Sequence, residues 1–303
     1  MTRIAGVTFS LLENSMLFSE DPLIVIMGIN EYAQSISITD ANANLHRELF
    51  ERFRCVSLIL SAVCGDIIVD FSTMPRVDDI KRLVLHLSRG SQIEPPNGGD
   101  MRELRELELT FPKNFLLPVF RGCKRLESLI SAGDWEAINF AVDCSRLVDL
   151  RLIDFQEKDF SNFVNVESLQ TLRIDKAKKL KSFRGLDGLS SIKSLRIHVA
   201  SDFEDASAIV HSESIQNISI WNNRGFLDFS FLKNKALKSI TLEYVDSVEW
   251  MMQVPGIQFI YCKRVKSLGN KSFWWTVEHE EPDIGKKFEP VYGELYPKTR
   301  WDE

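Results

Sequence analysis

The chain has 303 residues and a mass of 34.8 kDa, which suits two ordinary domains or one elongated repeat domain. Hydrophobic residues make up 44% and charged residues 26%, which is typical of a globular protein and argues against a largely disordered chain. A net charge of −6 and a pI near 5.6 disfavour general binding to nucleic acid or to an anionic membrane.

The beginning of the chain and its cysteines predict a cytoplasmic protein. Glu13, Glu20 and Asp21 interrupt the early apolar residues, which is unlike a secretory signal. Residues 23–27 form the longest apolar stretch nearby, far short of the ~20 residues that a membrane span needs. The five cysteines are widely spaced and contain no C-x-x-C pair, which argues against a disulfide framework or a zinc site.

The segments outside the regular pattern are predicted as follows, in chain order. Residues 1–32 form an N-terminal cap, in which residues 23–27 are a buried strand. Residues 42–53 have the apolar spacing of a helical connection, and residues 88–100 are rich in turn residues and predict a loop. Residues 271–303 form a C-terminal cap and a polar tail, whose aromatic residues 273–275 cover the last open edge of the repeats.

Between these ends, three apolar residues recur at the first, fourth and sixth positions of a repeat of about 22 residues. The pattern occurs eleven times, with Ser131 in place of one sixth-position residue. The repeats start at Ala33, Cys55, Ile80, Leu104, Leu126, Leu147, Leu169, Ile192, Ile215, Leu237 and Ile257. Several repeats carry another apolar residue eleven positions after the start, as at Leu180 and Val248.

This pattern resembles the L-x-x-L-x-L signature of the leucine-rich repeat family, and residues 180–189 look like a short bacterial-type repeat. The resemblance implies an α/β solenoid, or horseshoe, over residues 33–270, with one parallel strand per repeat and irregular return segments. One departure concerns the asparagine that the family carries at the ninth position, because only Asn223 matches it here. We therefore expect water or neighbouring chain to satisfy backbone polar groups in the turns.

No catalytic motif is present in the sequence. It lacks a phosphate loop, a dinucleotide fingerprint, a G-x-S-x-G elbow and an H-E-x-x-H zinc motif. None of the five histidines lies in a short metal-ligand cluster with another histidine or a cysteine. We predict no catalytic residue, no metal site and no cofactor.

Alternation along each strand predicts that positions three, five and seven of the repeats face solvent on the concave surface. Arginine occupies position five in three successive repeats, as a ladder that receives a partner's carboxylates or as a self-satisfied network with Asp149 and Asp175. Aromatic residues cluster on the later repeats, either as an interface or as packing for the C-terminal cap. The predicted partner-binding residues are Arg151, Arg173, Asp175, Arg196, His198, Trp221, Glu243, Tyr244, Phe259 and Tyr261.

The function predicted from these features is non-enzymatic protein binding. The resemblance extends by analogy to inhibitor and immunity proteins, which would cover the active site of a toxin or another toxic enzyme with the concave face. The alternative is an adaptor or scaffold in a signalling or degradation complex. An enzyme and a phosphate-ligand binder remain further alternatives, and neither nucleic acid nor membrane is predicted as a partner.

Overall fold

The structure is a computed structural model that describes most of residues 2–267. The described ranges are 2–4, 7–12, 16–19, 24–27, 32–39, 54–61, 68–73, 76–87, 92–94, 96, 101–110, 123–132, 145–163, 166–199, 204–222, 228–233 and 235–267. The chain divides into two compact units, Met1–Leu152 and Ile153–Glu303.

The first unit begins with antiparallel strands. These are β1 (Thr2–Ile4), β2 (Val7–Leu12), β3 (Met16–Ser19) and β4 (Ile24–Met27), and each pairs with the next. Strand β4 then pairs antiparallel with β5 (Tyr32–Thr39). The strand predicted at residues 23–27 is therefore confirmed as β4, whereas the burial of its side chains lies outside the described residues.

Parallel pairing starts at β5 and continues through this unit. The next repeat strands are β6 (Arg54–Ser61), β8 (Arg82–His86), β10 (Glu106–Thr110), β11 (Ser128–Ala132) and β12 (Asp149–Ile153). From β5 to β11 the fourth positions of the repeats are register partners, in the order Ile36, Leu58, Leu83, Leu107 and Leu129. The apolar triplets therefore correctly predicted both the strands and their alignment.

A second, smaller sheet lies in the return segments of the first unit. Strand β7 (Ile68–Asp70) pairs in parallel with β9 (Gln92–Glu94). The prediction of a plain loop over residues 88–100 is wrong at residues 92–94, because Ile93 and its neighbours have an adjacent return segment to pair with. The turn residues of segment 88–100, considered alone, did not predict this strand pairing.

The second unit repeats the same parallel arrangement. Its strands are β13 (Thr171–Ala177), β14 (Ser194–Val199), β15 (Asn217–Asn222), β16 (Ser239–Ser247) and β17 (Phe259–Ser267), each paired with the next. Fourth positions are again register partners, in the order Leu172, Leu195, Ile218, Ile240 and Ile260.

Apolar residues at the first, fourth and sixth positions fill the core. In the repeat that contains β13, for example, Leu169, Leu172 and Ile174 are fully buried. A single repeat cannot bury this face alone, so neighbouring repeats must stack. One parallel strand for each repeat of about 22 residues is the architecture of a leucine-rich repeat solenoid. The fold predicted from the sequence is thus confirmed.

The described return segments contain 3-10 turns instead of α-helices. In three turns of the second unit, an aspartate carboxylate accepts a hydrogen bond from the backbone N–H of the serine two residues later. The pairs are Asp159–Ser161, Asp205–Ser207 and Asp228–Ser230, at 2.8 to 2.9 Å. The residue between them is buried in each case, as Phe160, Ala206 and Phe229. The turns therefore point an apolar side chain inward while a surface carboxylate satisfies the backbone.

Adjacent return segments of the second unit also bond to each other through backbone. The N–H of Lys181 donates to the carbonyl of Lys158, and that of Glu204 donates to Lys181, both at 2.8 Å. Where the family carries asparagine, apolar Phe155, Ala177 and Val245 are buried instead. Neighbouring chain therefore satisfies backbone polar groups in these return segments, as predicted.

Some predictions fall outside the described residues. These are the helical connection at 42–53, the ninth position at Asn223 and the C-terminal cap and tail at 271–303. The division at residues 32 and 270 stays a prediction.

Candidate functional site

Side chains on the repeat strands alternate between the core and a second face, which we call the outer face. On β13, Leu172 and Ile174 are buried, whereas Thr171 and Asp175 are half-buried and Arg173 is exposed. In the second unit the fifth positions form one row across the strands, because they are register partners. This row consists of Arg173, Arg196, Ser219, Thr241 and Tyr261.

The row begins with two neighbouring cations. Arg173 and Arg196 are register partners on β13 and β14, and both side chains are exposed. Among the residues that the structure describes, neither guanidinium makes an ion pair or a hydrogen bond. For these two residues the predicted self-satisfied network is absent from the described part of the chain, and we call them the arginine pair.

Two aromatic side chains lie on the later strands: Tyr261 is the last member of the row, and Trp221 is two residues beyond Ser219 on β15. The ring centroids of Trp221 and Tyr261 are 6.1 Å apart, at an interplanar angle of 40°. Their strands, β15 and β17, are separated by β16 and hence by about 9.6 Å. The rings therefore lean towards each other across β16, and we call Trp221 and Tyr261 the aromatic pair. The Trp221 indole Nε1 donates to the Ser219 hydroxyl at 2.9 Å, which fixes the orientation of the larger ring.

Glu243 differs from the expectation for this face. Alternation predicted a solvent-facing carboxylate, but the side chain on β16 is only 7% exposed, so the expectation of exposure was wrong. Glu243 lies on β16, the strand between those of Trp221 and Tyr261. A side chain with this little exposure offers little surface to a partner.

The other predicted residues have varied positions. His198 is the register partner of Trp221 and is half-buried, as are Asp175 and Phe259. Arg151 is exposed but belongs to the first unit, so its place in a three-arginine ladder stays a prediction. Tyr244 is part of β16, and the predicted contribution of its side chain lies outside what the structure describes.

The outer face of the first unit has a different character. There the His86 ring meets the Glu108 carboxylate at 3.0 Å, and Arg82 pairs with Glu106 at 3.3 Å. Between them lies Val84, which is only 3% exposed although it occupies a fifth position. Charges on these strands are paired internally, in contrast to the arginine pair. The sequence reasoning missed both pairs. Arg82 and Glu106 occupy the third position of successive repeats, which was a usable signal, whereas His86 is at the seventh position and Glu108 at the fifth.

The described residues offer little for catalysis. They contain no group of three or more His, Cys, Asp or Glu side chains arranged to hold a metal ion. The Cys262 thiol is fully buried beside Met251, and burial raises its pKa far above the ordinary value, so it is a poor nucleophile. Within the described ranges no helix is long and apolar enough to cross a membrane.

Comparison with known proteins adds a structural similarity only. No family model matches the chain, and no curated protein is significantly similar to it. The crystal structure of an internalin from Listeria monocytogenes is similar over 77% of this chain and 74% of that chain, at 12% identity and a TM-score of 0.49. The aligned parallel strands of the chain themselves identify its fold as a leucine-rich repeat solenoid.

Proposed function

We propose that this protein is a non-enzymatic module that binds another protein through the outer face of strands β13 to β17. The observation that carries the proposal is the half-exposed aromatic pair on the face that also carries two exposed arginines. Tyr261 shares the row of the arginines, and Trp221 lies two residues beyond that row on β15. Tryptophan, tyrosine and arginine are the residues most enriched among those that dominate binding energy at protein interfaces. Parallel repeats form extended surfaces that are widely used for binding.

The aromatic pair is suited to this role by its rigidity. The indole is oriented by Ser219, and the two rings contact each other, so little side-chain entropy remains to be lost on binding. The rings keep part of their surface exposed while they cover β16. A partner that buries them removes further apolar area from water at low entropic cost.

The finer form of the proposal is inhibition by occlusion in the cytoplasm. The module would cover the active site of a toxic enzyme, as an immunity protein does, and the exposed arginines would speed the encounter with an acidic partner. Cysteines without a C-x-x-C pair suit a reducing compartment. An adaptor would bind through the same face and leave its partner active.

The test is affinity capture from the native cells at moderate salt, followed by mass spectrometry, with wild-type protein and the double variant Trp221→Ala, Tyr261→Ala. Truncation of two such residues should weaken a specific complex by at least about 30-fold, so the partner should be lost. Val210→Ala is the matched control, because Val210 is 41% exposed on a return segment and away from the outer face.

The outcomes separate the alternatives. A partner lost in the double variant and kept in the control supports binding through this face. The activity of the purified partner then distinguishes an inhibitor from an adaptor, since an inhibitor abolishes that activity at a one-to-one ratio and an adaptor leaves it unchanged. A partner that remains bound to the double variant contradicts the proposed face.

A further inference from the structure

The arginine pair lacks a counter-charge among the residues that the structure describes. Adjacent parallel strands are about 4.8 Å apart, so the two register-paired side chains start close together. Like charges on neighbouring strands repel each other, and a carboxylate between them relieves that repulsion. Asp175 lies two residues along β13, but its interaction is with neither Arg173 nor Arg196, because both lack a partner in the described ranges.

The row between the cations and the rings carries only small hydroxyl side chains. Ser219 and Thr241 separate Arg196 from Tyr261, and both are half-buried. The Trp221 indole donates to Ser219 and its ring lies 6.1 Å from that of Tyr261, so the aromatic pair begins on β15, the strand next to Arg196. From β14 to β17 the row spans three strand spacings, which is about 14 Å.

We propose that this row recognises an extended acidic segment of a partner protein, with two carboxylates on alternate residues and an aromatic residue four positions further on. Alternate residues of an extended chain are about 6.6 Å apart on one side, which the flexible arginine side chains can span. Four further residues advance about 13 Å, which brings the aromatic side chain to Tyr261 on β17 and to the Trp221 ring that leans towards it. The inference rests on the proposed function and names the chemistry of its partner.

A carboxylate segment suits this row better than a nucleic-acid backbone does. Guanidinium groups bind carboxylates in a bidentate manner, and two of them match two acidic side chains. A phosphate backbone would need cations along the whole row, whereas Ser219 and Thr241 continue it without charge.

The probe is a capped, dye-labelled peptide with the sequence Glu-Ser-Glu-Ser-Gly-Ser-Phe, titrated with the full-length protein and followed by fluorescence anisotropy. Its control carries Gln in place of both Glu residues and keeps every other group. We expect saturable binding of the acidic peptide, weakened at least about tenfold in the Gln peptide and in the variant Arg173→Glu, Arg196→Glu. Val210→Ala should bind like wild type, and circular dichroism checks that each variant is folded.

Three results would overturn the inference. They are equal affinity for the Glu and Gln peptides, no saturation up to about 10 mM peptide, and tighter binding of a ten-residue oligothymidylate than of the acidic peptide. The capture experiment separates this inference from the proposed function. If the aromatic double variant loses the natural partner and the arginine double variant keeps it, the face is correct and the acidic segment is wrong. If both variants keep the partner, the proposed function itself fails.

Discussion

Replacement of Gly185 by alanine should destabilise the second unit more than either of two matched glycine substitutions. Gly185 has φ +87°, a left-handed conformation that L-residues with a side chain adopt at a cost of about 1–2 kcal/mol. A Cβ atom there would lie 2.6 Å from both the Phe160 carbonyl carbon and the Ser161 nitrogen. The neighbouring return segment is held in place because the Phe160 N–H donates to the Arg184 carbonyl at 2.8 Å. Displacement of packed backbone adds about 1–3 kcal/mol, which gives a total of about 2–5 kcal/mol.

Two glycines separate the contributions to that total. Gly256 has φ +70° with open space around its added Cβ, so Gly256→Ala should cost only the conformational part, about 1–2 kcal/mol. Gly188 has open space and no left-handed φ, so Gly188→Ala should be neutral or stabilise the protein by up to about 1 kcal/mol. Matching losses for Gly185→Ala and Gly256→Ala would refute the close approach of the two return segments.

Urea unfolding followed by tryptophan fluorescence is the appropriate assay. Five of the six tryptophans lie in the second unit, so the signal reports mainly on the part of the chain that contains all three glycines. A loss of about 3 kcal/mol lowers the unfolding midpoint by about 1 M urea at a slope of about 3 kcal/mol/M. That shift is large enough to rank the three variants.

Three other predictions test the assignment of faces and the environment of single groups. Leu195→Ala, in the core of β14, should lower the free energy of unfolding by about 2–5 kcal/mol. Arg196→Ala, at the next residue on the exposed side, should change it by less than about 0.5 kcal/mol. Equal losses would contradict the alternation of buried and exposed side chains. Cys262 should resist iodoacetamide at pH 8 in the folded protein and react in urea, because burial raises the pKa of its thiol. In the control variant Ser190→Cys, the new cysteine at an exposed position should react under both conditions. Peptide mapping measures the modification, and early labelling of Cys262 would show that its thiol is accessible. Hydrogen bonds from the Ser207 hydroxyl and N–H hold the pKa of Asp205 below its usual value. The decrease in unfolding midpoint caused by Asp205→Ala should therefore be greatest above about pH 4 and shrink as the pH falls through the lowered pKa. A decrease that does not depend on pH would exclude a contribution from the charge of Asp205.

The repeat strands were predictable from the sequence because their signal is periodic and is enforced by burial. A slip of one residue would move Leu172 and Ile174 from the core to solvent, so the triplets determine both the strands and their register. The antiparallel strands β1 to β3 lack such a signal, since they occur once and have no neighbouring repeat to compare with. Strand β9 depends on a return segment about 24 residues earlier in the chain, and turn-residue content carries no record of that pairing.

The candidate site was only partly predictable, because its rows follow from register whereas its side-chain contacts do not. Alternation correctly placed Arg173 and Arg196 on the exposed face, and register placed them side by side. It could not show that neither has a counter-charge among the described residues, since Asp175 is only two residues from Arg173 in the sequence.

Glu243 is another residue of this face whose environment the sequence did not predict. Its position predicts an exposed carboxylate, yet the side chain is only 7% exposed. Strand spacing and the two-residue offset along the strands would keep Trp221 and Tyr261 about 12 Å apart, and only their side-chain rotamers bring the ring centroids to 6.1 Å. These rotamers depend on side-chain contacts that the repeat pattern does not encode, so the sequence placed both residues on one face without predicting that their rings would meet.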